Sequence, residues 1–97
     1  MEFSIHLTDS AIDDINYFRK KERRSISDGI ALFLTHDANV ETRNRKPLRQ
    51  NELASWELRI DEYRVFYDFE GDDQVKIVAI GHKEHNELYI RGKKVEL

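Results

Sequence analysis

Residues 56–67 read WELRIDEYRVFY, and the pairing they dictate organises the rest of the chain. Apolar and polar residues alternate on both sides of Asp61-Glu62, the pattern of two strands joined by a two-residue turn. In that register Ile60 faces Tyr63, and Arg59 lies directly opposite Arg64. Strand side chains alternate, so Trp56, Leu58, Ile60, Tyr63, Val65 and Tyr67 share one apolar face. Glu57, Arg59, Arg64, Phe66 and Asp68 share the other. The apolar face requires a second layer to cover it.

The covering layer is upstream. Residues 2–7 alternate and read as a short strand, after which Thr8, Asp9 and Ser10 offer N-cap oxygens for a helix to about Arg23. Ile12, Ile15 and Phe18 would form its buried stripe. Asp13 and Asp14 fall early and Arg19, Lys20, Lys21, Arg23 and Arg24 late, in the order that suits the helix dipole. Ser25 and Ser27 could cap a second helix to about Asp37, with Ile26, Ile30, Phe33 and Leu34 at helical spacing. Residues 38–54 are polar, hold the single proline (Pro47), and read as a loop with at most a short strand. Downstream, Gly71-Asp72-Asp73 is a turn, residues 75–81 are apolar on both faces like a central strand, and residues 88–90 form a last short strand. Gly92 begins a charged tail. The expected fold is α+β, an N-terminal strand and αα-hairpin packed on a C-terminal antiparallel β-sheet, in one domain spanning 1–97.

Composition narrows the function classes. The 97 residues suffice for one core and not two. No cysteine is present, so neither disulfide nor thiolate chemistry is open, and a cytoplasmic location is expected. The first residues lack a basic and apolar leader, and no apolar run approaches a membrane span. A net charge of −3 makes the chain as a whole unattractive to nucleic acid, so the placement of its cations matters more than their sum.

Three groups of residues could carry chemistry. Like charges facing each other across strands repel by some tenths of a kcal/mol, yet Arg59 and Arg64 in that geometry could hold a phosphate bidentately. The plainer reading is that Glu57 and Asp68 neutralise them on a solvated face. His82, Lys83, His85 and Tyr89 follow the central strand and could move protons near neutral pH. His82 and His85 lack a third ligand at matching spacing, so no metal site is expected. Arg43, Arg45, Lys46 and Arg49 precede the hairpin and could track a nucleic-acid backbone. They could equally be a solvated face. No phosphate loop, serine elbow or dinucleotide fingerprint occurs.

With KPL at 46–48, WELRIDEYRVFY at 56–67, VKIVAIG at 75–81 and HKEHNELY at 82–89, the chain resembles the RelE/ParE superfamily of toxins from type II toxin–antitoxin pairs. The resemblance spans nearly the whole chain. Its RelE branch, the first reading of these residues, implies a ribosome-dependent, metal-independent endoribonuclease (an mRNA interferase) that cuts mRNA, inhibits translation, needs no cofactor and is silenced by a cognate antitoxin in a hetero-oligomer. Its ParE branch implies instead a non-enzymatic inhibitor of DNA gyrase, and an inactive member is a third possibility. On the RelE pattern, Arg59 falls where a strand lysine is expected, Arg64 matches an arginine, Lys83 replaces an arginine, and Tyr89 matches the C-terminal tyrosine. Glu57 stands where that branch has a second lysine, and Lys46 where a related branch has a glutamate base. The resemblance leaves the general base open among Glu57, His82, His85 and Tyr89.

Overall fold

Thr8 closes the first strand and opens the first helix, its hydroxyl accepting the Ala11 N–H at 3.1 Å. The computed structural model describes Met1–Leu97, with strand β1 (Ser4–Leu7) before this cap and helix α1 (Asp9–Asn16) after it. α1 ends sooner than the charge pattern suggests. Just past its C-cap Tyr17, the Phe18 carbonyl accepts a hydrogen bond from Arg23 Nη1 at 2.7 Å, while Glu22 reaches back to the Arg19 N–H at 3.0 Å. Those two contacts end one helix and start the next, α2 (Lys20–Leu34), so Ser25 and Ser27 lie within α2 and cap nothing. The buried face of α1 is also rotated from the expected one. Ala11 and Asp14 are buried with Phe18, whereas Ile12 is 43% exposed. In α2, Ile26, Ile30 and Leu34 of the expected stripe are buried, while Phe33 is only partly buried against the same core.

The sheet comprises β2 (Arg45–Pro47), β3 (Trp56–Ile60), β4 (Tyr63–Glu70), β5 (Gln74–Glu84), β6 (Glu87–Ile90) and β7 (Lys93–Val95), antiparallel in that spatial order. The N-terminal strand joins it too: β1 lies parallel to β5 along residues 74–77. The charged tail is thus the last strand of the sheet. Arg91 and Gly92, at φ 48° and 77°, make the two-residue turn that folds β7 back on β6. Ile60 pairs with Tyr63 and Arg59 with Arg64, the register that the two-residue loop requires.

Two apolar clusters form, one on each face. Against the helices pack Leu58, Ile60, Tyr63, Val65, Tyr67, Val75, Ile77 and Ile80. On the outer face Phe66, Ala79, Leu88 and Ala54 make a second, smaller core, closed by Leu48, Leu53, Ile90 and Val95. Gly81, in the central strand, serves a close approach. A Cβ there would come within 2.3 Å of the Tyr89 carbonyl oxygen, so only glycine lets β6 cross at this point.

Candidate functional site

Arg59 and Arg64 project from the outer face as cross-strand neighbours. Between them lies Glu57, only 5% exposed. Its Oε2 accepts from Arg59 Nε at 3.0 Å, and its Oε1 lies 4.0 Å from Arg64 Nε. Arg64 is further committed: its Nη1 donates to the carbonyls of Asp61 (2.7 Å) and Tyr63 (2.9 Å), while its buried Nε finds no acceptor. Burial lowers the pKa of this guanidinium, with Glu57 opposing the shift and Arg59 adding to it. Asp68 takes no part, because its Oδ1 accepts the Ser55 N–H at 2.7 Å. Glu57 alone therefore neutralises the pair.

Two more cations share this face. Lys46 is the β2 partner of Glu57, and Lys83 the β5 partner of the outward-facing Leu88. Glu57 and Lys83 line a cleft of about 450 Å³ with Leu88, Lys94 and Val95. The outer face thus carries Lys46, Arg59, Arg64 and Lys83 around one buried carboxylate.

The proton-transfer candidates are elsewhere. His82 pairs with Tyr63 on one side and Tyr89 on the other, and all three lie on the helix face. Its ring stacks on Tyr89 at 5.5 Å and meets the edge of Phe18 at 6.1 Å. Nδ1 is buried without a partner, and Nε2 is 3.7 Å from a Glu84 carboxylate oxygen. Tyr89 donates its hydroxyl to Glu87 at 3.0 Å, and that bond raises its pKa. A phenol so held keeps its proton and is a poor base. His85 sits at the exposed β5–β6 turn with φ 52°, beside Asn86 at φ 66°. No cluster of three or more His, Asp or Glu residues has the geometry to hold a metal ion.

The sheet accordingly separates Arg59, Arg64, Glu57, Lys46 and Lys83 from His82 and Tyr89. Strand alternation between His82 and Lys83 was a signal for this. No local pattern announces the residues that join His82 around the 560 Å³ helix-side cleft, among them Tyr63 and Glu22. Tyr63 donates to Glu22 at 3.2 Å, and burial, with that carboxylate second, pushes the Tyr63 pKa up to about 12.

The loop cations divide as well. Arg45 is structural: its Nε donates to the Val40 carbonyl and its Nη1 to that of Phe33, each at 2.9 Å, tying the end of α2 to the loop. Arg43 and Arg49 are exposed. Arg45→Ala is expected to lower unfolding stability by about 1.5–3 kcal/mol, as for other bonds to charged donors. Arg43→Ala should stay within about 0.5 kcal/mol of wild type in the same urea titration.

Comparison with known proteins gives the same fold. Residues 5–87 match the family model described as the ParE toxin of the type II toxin–antitoxin system, parDE. Among solved structures, the chain is similar to one in the crystal structure of the toxin–antitoxin complex RelBE2 from Mycobacterium tuberculosis. The two are 20% identical with a TM-score of 0.70, covering 86% of this chain and 100% of that one. No curated protein matches the chain in sequence.

Proposed function

The chain belongs to the ParE toxin family of type II toxin–antitoxin systems, and from that premise we propose that it acts by binding a protein target, not by cutting RNA. The target that the ParE branch implies is DNA gyrase, and the partner that holds the toxin silent is a cognate antitoxin. The observation that carries this reading is the separation across the sheet. RNA cleavage through the 2′-OH needs a proton acceptor within hydrogen-bond reach of the group that the cations orient. Arg59 and Arg64 have only Glu57 beside them, and its carboxylate is already bonded to Arg59. His82 and Tyr89 lie on the reverse face.

The ribosome-dependent endoribonuclease is the second reading, and a specific observation favours it. Lys46, Arg59, Arg64 and Lys83 on one face could brace a phosphate of ribosome-bound mRNA. One culture separates the two. The chain is induced, mRNA ends are mapped, and plasmid supercoiling is followed. Gyrase inhibition predicts altered supercoiling with mRNA intact, and growth arrest that survives His82→Ala and Tyr89→Phe. Loss of a proton-transfer group from a nuclease would instead cut activity by about 10²–10⁴-fold. Fresh mRNA ends that vanish in either variant would overturn the binding reading.

A further inference from the structure

One edge of β5 serves two strands. β1 takes residues 74–77, and β6 pairs with residues 82–84 and passes close over Gly81, so residues 78–80 have no strand on that side. An unpaired amide in such a gap is costly when buried. Asp14 fills it. Its side chain is 1% exposed, and Oδ2 accepts the Ile80 N–H at 3.0 Å. The other oxygen, Oδ1, forms an ion pair at 2.9 Å with Nε of Arg91, the first residue of the β6–β7 turn. Gly92, next in that turn, lies under Tyr17, so that a Cβ would come within 3.1 Å of the phenol oxygen. The end of α1 therefore grips the turn of the last hairpin.

Apart from Leu88, Ile90 and Val95 resting on the outer core around Phe66, and Tyr89 stacking on His82, that hairpin is held by few strand pairs. β7 pairs only with β6, and β6 meets β5 over three residue pairs. We propose that β6–β7 is an arm latched to the body by Asp14 and Arg91, and that breaking the latch lets it lift from β5 as a unit. Lifting would take Tyr89 off His82 and remove the wall of the outer cleft formed by Leu88, Lys94 and Val95. It would also free the second half of the β5 edge for another strand. The arm thus couples the two faces that the sheet separates, whichever target the toxin has.

Amide hydrogen exchange followed by NMR on the full chain tests this. Arg91 is half exposed, so Arg91→Ala should fold. It is expected to speed exchange of residues 86–95 by about tenfold, leaving β3 and β4 amides unchanged, as a local opening does. Arg91→Lys should restore much of the protection. Asp14→Asn removes the charge and keeps an acceptor for Ile80. The arm should then open while the Ile80 amide stays protected. Unchanged protection in Arg91→Ala would overturn the latch. Equal acceleration across the whole sheet would do so too, because the pair would then serve only global stability.

Discussion

Phe66→Ala is expected to cost about 3–5 kcal/mol, as does removal of a large buried side chain that its surroundings cannot collapse around. Phe66 has no exposed surface, although it lies on the face opposite the helices, among the charged residues of β3 and β4. Its ring is closed in by a loop residue (Ala54), its neighbour on β5 (Ala79) and the arm (Leu88). These come from three separate segments, so relaxation around the lost ring would have to move all three. Urea unfolding is the measurement, with the midpoint falling while the slope is retained. A loss below about 1 kcal/mol would mean that this side of the sheet is an ordinary solvated surface.

Phe66 also marks where the sequence stopped being legible. Period-two alternation placed it correctly with Glu57, Arg59 and Arg64, because a two-residue turn fixes the register from local information alone. What covers that face is not local. It depends on where residues 48–55 and the C-terminal arm fold back, and neither segment carries a periodic signal strong enough to say. The turn at Arg91-Gly92 shows why. A left-handed arginine before a glycine is a legitimate hairpin loop, but a charged tail looks the same on paper. The break between α1 and α2 was illegible for a related reason. A run of cations at residues 19–24 followed by Ser25 and Ser27 makes a plausible helix end. The actual end is set by Arg23 reaching the Phe18 carbonyl and Glu22 reaching the Arg19 N–H. Asp14 then turns inward to meet Ile80, a contact across 66 positions of sequence that no local pattern announces. At the candidate site, cation spacing was readable and partnership was not. His82 and Lys83 are adjacent in sequence, and alternation alone sets them on opposite faces.

Glu57→Leu is the second large effect expected, about 3 kcal/mol of stability. Removing one partner of a buried ion pair leaves an uncompensated charge, which costs about 3–5 kcal/mol when both groups are fully enclosed. The lower figure applies because Arg59 is 44% exposed and water will screen it. Arg64 is the harder charge to leave alone. Its side chain is 15% exposed, and its Nε already lacks an acceptor. The two arginines therefore behave differently in double-mutant cycles. Arg59 touches Glu57 more closely, at 3.0 Å against 4.0 Å for Arg64. Exposure nevertheless makes its coupling small and easily weakened by salt. The Glu57–Arg64 coupling should be the larger of the two and survive high ionic strength. Glu57→Leu with Arg64→Leu should regain most of the loss, since an apolar pair of similar volume commonly replaces a buried ion pair at little cost. Urea unfolding of both cycles at low and high salt decides the matter. Equal couplings that fade together in salt would mean that Glu57 is solvated and the outer face has no buried charge to balance. The four cations would then be free to take a phosphate, and the nuclease reading would gain the ground that the separation across the sheet now denies it.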